Sequence, residues 1–164
     1  MKKHRKEEQQ DLIQLRLWTY DEAKKAIPYL RSLVNSLRDC WLEARHAHTQ
    51  VERVASRHGH PDRAALIQLA ERNRDVDMAG VKLEEVAAEM LALSAYCVDP
   101  TAGLAVIPFI RGESLAWFVF DMFDEAGLVA WRLSSDPLET RRPLAELDQP
   151  EAAAEGSSEV HPIA

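Results

Sequence analysis

From Ala26 to Val54 apolar residues recur at alternating spacings of four and three: Ala26, Leu30, Leu33, Leu37, Cys40, Ala44, Ala47, Val51 and Val54. A seam of that kind sustained over four heptads dictates a long helix that buries one edge along its whole length. His58-Gly59-His60-Pro61-Asp62 breaks the pattern with a glycine and a proline, the signature of a helix–helix turn. A second seam follows at Leu66, Leu69, Asn73, Val76, Gly80, Leu83, Ala87 and Met90. Folding back through a tight turn, residues whose numbers sum to about 119 face each other, as in an antiparallel coiled-coil-like pair. Leu37 then meets Leu83, and Leu30 meets Met90. Cys40, Ala44 and Ala47 lie opposite Gly80, Val76 and Asn73, where the helices approach closely, with Asn73 as the polar seam residue that fixes register.

The first helix has a marked start. Thr19-Tyr20-Asp21-Glu22 is a capping box, in which hydroxyl and carboxylate each satisfy a backbone amide that the first turn leaves open. Pro28 lies too deep for a first-turn proline and is expected to kink the helix or leave a gap in its hydrogen-bond ladder. Ahead of the cap, Leu12, Ile13, Leu15, Leu17 and Trp18 form a short apolar run, read as an edge strand. After Asp99-Pro100 the period changes. Three apolar, β-branched and aromatic runs, 104–110, 115–123 and 128–133, are separated by Arg111-Gly112-Glu113-Ser114 and Asp124-Glu125-Ala126-Gly127. The expected fold is α+β, mainly α: a long antiparallel helical hairpin packed on a small antiparallel β meander of three strands. Residues 12–147 form the domain, 1–11 a flexible polar N-terminus, and 148–164 a disordered acidic tail without apolar periodicity.

Charge narrows the function classes. A net charge of −7 repels a phosphate backbone, and the one basic cluster, Lys2, Lys3, Arg5 and Lys6, is followed at once by Glu7 and Glu8. No nucleic-acid partner is expected. Nor is a membrane: no apolar run approaches the roughly 18 residues that a span needs, and the start of the chain lacks a signal peptide's apolar core, so the expected location is cytoplasmic. Cys40 and Cys97 read as core residues; the hairpin would separate them by roughly 25 Å, too far for a disulfide.

The candidate sites for chemistry are thin. His46 and His48 are two apart on a helix and diverge, while His58 and His60 lack further ligands. Glu43-x-x-His46 is half of a di-metal motif whose second half the other helix does not supply. Asp121, inside an apolar strand, shares a face with Arg132 one diagonal away and is expected to form an ion pair with it. No catalytic residue, metal ligand or cofactor is assigned.

What the sequence does show is surplus apolar surface. One face of the meander carries Ala105, Ile107, Phe109, Phe118, Phe120, Met122, Val129, Trp131 and Leu133, enough to cover the helices; the other still carries Leu104, Val106, Trp117, Val119, Phe123 and Leu128. The first helix has a second stripe, Ile27, Val34 and Trp41, and helices of about 55 Å outrun so small a sheet. Contiguous uncovered apolar surface marks an interface. The interface candidates are Ile27, Val34, Trp41, Trp117 and Phe123, serving a homodimer or a protein partner in a non-catalytic interaction module. The rival is a small-ligand- or metal-binding protein, or an enzyme, with a pocket between helices and sheet at Asp99, Asp121, Arg132 and Arg141.

In order along the chain stand Thr19, Glu22, Ala23 and Pro28; Asp99, Gly103, Leu104 and Pro108; then Trp131, Arg141, Pro143 and Leu144. From about Trp18 to Leu144 this layout resembles domain-of-unknown-function family 2203, an uncharacterised bacterial and archaeal family. The resemblance implies the hairpin-plus-meander fold and carries no activity with it. The chain departs from the family pattern at polar positions: Val106 stands for an aspartate, Phe120 and Asp121 for a Cys-Trp pair, and Arg132 for a histidine.

Overall fold

The computed structural model describes residues 14–57 and 59–148. The capping box forms as read: the Thr19 amide donates to Glu22 Oε2 at 2.8 Å, and the Glu22 amide donates to Thr19 Oγ1 at 3.2 Å. Helix α1 then runs without interruption over Tyr20–Ala55, through Pro28. Pro28 is on the exposed side, where water can reach the Lys24 carbonyl that loses its donor. After the turn, Asp62 caps α2 (Arg63–Ala92) by accepting the Ala65 amide at 2.7 Å.

The two helices pack antiparallel. Lys82 Nζ reaches Glu43 at 3.1 Å, and the Tyr29 hydroxyl donates to Glu89. The seam of α2 differs from the expected one at Leu66 and Asn73, and Val86 joins the expected Ala87 against the core. Its inward line is Ala65, Leu69, Arg72, Val76, Ala79, Leu83, Val86 and Met90, while Leu66 and Asn73 are exposed. Asn73 therefore does not set the register. Arg72, half-exposed, stands in this line with its guanidinium 3.2 Å from Asp75.

Strands β1 (Tyr96–Asp99), β2 (Leu104–Arg111), β3 (Ser114–Asp121) and β4 (Leu128–Leu133) form one antiparallel sheet in sequence order, followed by a 3-10 turn at Leu144–Asp148. The meander has four strands, not three. The additional one, β1, is only four residues long and follows the end of α2 so closely that no change of period announces it. Conversely, residues 14–18 form no strand. They lie beside the part of β2 that the short β1 leaves unpaired, with a single ladder bond, Trp18 N to Pro108 O at 2.9 Å. Pro108 has no amide with which to answer, so pairing cannot propagate. Leu12 and Ile13 of that run lie outside the described residues, as do the expected polar N-terminus and all of the expected tail except Asp148.

Ala105, Ile107, Phe109, Ala116, Phe118, Phe120, Leu128 and Trp131 face α1 and meet Ala23, Leu30, Leu33, Val34 and Leu37 there, with Met90 from α2. Phe118 is fully buried, and a side chain of its size contributes about 3 kcal/mol by leaving water. The register between β3 and β4 shifts between Val119 and Phe120, so that Phe120 pairs with Leu128. This bulge turns Leu128 into the core and places Val129 with the outer cluster of Val106, Val119, Ala130, Tyr96 and Trp117, the reverse of the expected assignment.

Candidate functional site

Seven residues of α1, each one place beyond a seam position, define its sheet-side flank: Ile27, Arg31, Val34, Arg38, Trp41, Arg45 and His48. The sheet covers the first half of this flank. Arg31 caps the β3–β4 turn, donating to the carbonyls of Met122 at 2.7 Å, Asp124 at 3.0 Å and Glu125 at 3.1 Å. Ile27 lies under the same turn, so close that a Cβ on Gly127 would stand 2.8 Å from its Cγ2. Val34 is 1% exposed, inside the core. Ile27 and Val34 are thus packed against their own sheet and are not available to a partner, because the sheet sits nearer the start of α1 than its end.

Coverage stops at Arg38. Its Nε donates to the Thr101 carbonyl at 3.2 Å, and its guanidinium lies 5.4 Å from the ring centre of Phe123, which is 62% exposed. One turn further along α1, Trp41 is half-buried, with the Arg45 guanidinium 5.3 Å from its ring centre. The rim of the sheet therefore carries alternating aromatic and arginine groups, residue types enriched at interface hot spots and attracted to each other by the ring quadrupole. Trp117 belongs elsewhere. It lies on the outer face of the sheet, edge-on to Tyr96 at 5.7 Å, with its Nε1 donating to Ser134 Oγ at 2.7 Å.

The opposite flank of the hairpin is a polar cleft. It is lined by Glu43, His46 and Gln50 from α1 and Asp75, Met78 and Lys82 from α2, each one place before a seam position. Residues one place after the seam in α2, Asn73, Asp77, Gly80 and Glu84, consequently share the face of Trp41.

The four ligand-pocket candidates do not converge. Asp99 and Asp121 flank Leu104 at one end of the sheet, where each closes a local turn: Asp99 Oδ1 accepts the Ala102 amide at 3.0 Å, and Asp121 Oδ1 the Phe123 amide at 2.8 Å. Arg132 is opposite Trp117 further along β4, buried, with its Nη1 donating to the Leu133 carbonyl at 3.4 Å. Arg141 is exposed and holds the Leu138 and Thr140 carbonyls at 2.8 and 3.0 Å. The expected Asp121–Arg132 ion pair is absent among the described residues. Strand β3 ends at Asp121 and the connection to β4 is longer than four residues, which slides Arg132 away along the ladder.

Cys40 and Cys97 are free and half-buried; burial, and then the charge of Asp99, pushes the Cys97 thiol above its ordinary value. Among the described residues no three His, Cys, Asp or Glu side chains are placed to hold a metal ion, and His58 is outside them. No described helix is long and apolar enough to cross a membrane.

Fold and surface together define a helical hairpin half-covered by a four-stranded meander. The chain belongs to the family of uncharacterized conserved proteins DUF2203, whose model matches residues 16–144. No curated protein and no solved structure matches it. The motif residues that carried the resemblance have structural roles here: Thr19 and Glu22 cap α1, Ala23 is fully buried, Gly103 adopts φ +67° before β2, and Trp131 Nε1 donates to the Pro143 carbonyl at 3.0 Å. Sequence reasoning missed the clamps made by Arg31, Arg38 and Arg142, because an arginine on a helix flank or in a loop reads as solvated until its carbonyl partners are known.

Proposed function

We propose that this chain is a non-catalytic interaction module that self-associates through the uncovered half of its hairpin. The observation that carries the reading is the end of sheet coverage at Arg38, which leaves Trp41 half-buried and Phe123 exposed at one rim with two arginines beside them. Water is a poor partner for that combination, and a protein surface a good one. The two free cysteines suit a reducing compartment, and the module is assigned to the cytoplasm.

Light scattering coupled to size exclusion over a concentration series tests this. The expected mass at high concentration is a multiple of 18.5 kDa, falling toward the monomer on dilution, with Trp41→Ala monomeric throughout. An unmodified chain that stays monomeric at every concentration defeats the reading.

A further inference from the structure

We infer that the occupant of the uncovered half is a second copy of this chain, reversed in direction, so that α1 of one copy runs against α1 of the other about a two-fold axis near His48. This rests on the self-association just proposed and gives it a geometry.

Direction follows from shape. The sheet covers the flank of α1 as far as Arg38, and the helix continues to Ala55, about 25 Å further at 1.5 Å per residue. A second hairpin laid in the same direction on that face would drive its sheet into the first one. Laid in reverse, each uncovered half meets the other, and each hairpin tip stops at the other's sheet rim. The midpoint between Trp41 and Ala55 is His48, which fixes the axis.

Charge agrees with this register. Arg45 and Glu52 lie on the same flank on either side of the midpoint, so Arg45 of each copy comes level with Glu52 of the other. Both are exposed, and neither side chain has an ion-pair partner among the described residues; the Arg45 guanidinium lies over the Trp41 ring. An isologous interface makes each contact twice, so two cross-copy pairs form. Trp41 then meets the hairpin tip of the second copy, where Leu66 is 53% exposed.

Charge reversal and a self-cross-link test the geometry in the full chain. Arg45→Glu and Glu52→Arg are each expected to weaken dimerisation about tenfold by setting like charges together twice, and the double variant to restore it. His48→Cys, close to its own copy across the axis, is expected to give a covalent dimer on mild oxidation that the unmodified chain does not give. A dimer indifferent to both reversals, with no cross-link through His48→Cys, overturns this geometry and leaves self-association standing through another face. An unmodified chain that is monomeric overturns both.

Discussion

Arg142 holds Asp136 by two parallel bonds, Nε to Oδ2 at 2.8 Å and Nη2 to Oδ1 at 2.9 Å, while the Leu133 amide donates to the same Oδ2 at 2.8 Å. The chain leaving β4 is thereby turned back on itself, so that Arg142 and Trp131 exchange backbone bonds at 2.8 and 3.1 Å. A bidentate guanidinium–carboxylate pair fixes angle as well as distance. It locks the segment 134–143 against the edge of the sheet.

Acid should release this lock at a defined pH. The Arg142 side-chain bond, with the Leu133 amide, lowers Asp136 from 3.8 to about 2. A carboxylate depressed in the folded state adds stability that is fully present above its unfolded value and lost as pH falls through the folded one. Urea unfolding followed from pH 7 downward should therefore show a loss of stability between about pH 4 and about 2 that is shallower in Asp136→Asn. Equal slopes in the two proteins would show that the pair does not contribute.

Two glycines should respond to alanine with opposite signs. Gly103 has φ +67°, and a Cβ there would stand 2.2 Å from Met122 Cγ, so Gly103→Ala is expected to destabilise by about 2 kcal/mol. Gly80 is inside α2 with open space around it, so Gly80→Ala should stabilise by about 0.5–1 kcal/mol through helix propensity. Denaturant midpoints measured on dilute protein, where self-association plays no part, give both values.

Val34 and Trp41 belong to the same sequence stripe but not to the same environment. Val34→Ala removes two methyl groups from the core and is expected to cost about 2 kcal/mol while leaving the association constant unchanged. Trp41→Ala should do the reverse, with a small loss of stability and loss of the dimer. Thermal unfolding and sedimentation on the two variants separate the effects, and an association defect in Val34→Ala without unfolding would contradict its burial.

Legibility in the sequence followed the range of the interaction. The capping box, the hairpin turn and the three longer strands depend on residues a few places apart, and each was readable from them. The heptad of α2 was half readable: Leu69, Val76, Leu83 and Met90 are plain, but Arg72 in place of Asn73 is not, because a charged residue on a helix reads as solvent-facing until its neighbours are known. β1 and the bulge at Val119/Phe120 are set by neighbours across the sheet, so Leu128 could not be assigned to a face from its spacing alone. The surface candidates divided for the same reason. A stripe one step beyond the seam identifies Ile27, Val34 and Trp41 equally, and only the position of the sheet along α1 covers two of them and leaves the third.

Arg31 joins that coverage to the proposed interface. Its guanidinium donates to three carbonyls of the β3–β4 turn, and that turn carries Phe123 at the rim. The bonds to Asp124 and Glu125 are exposed and that to Met122 is part-buried, so water can replace most of the lost donors and Arg31→Ala should lower global stability by only about 1 kcal/mol. Local order should suffer more: amide hydrogen exchange of Ala126 and Gly127, whose amides donate to the Asp124 Oδ1 and carbonyl, is expected to accelerate well beyond the global change. Arg31→Lys should rescue little of this, because one ammonium cannot present a planar fork to three acceptors. A turn that loosens also frees Phe123 from its place beside Arg38, so weaker self-association should accompany faster exchange in both variants. Exchange that accelerates while association holds would show that Phe123 contributes nothing to the rim.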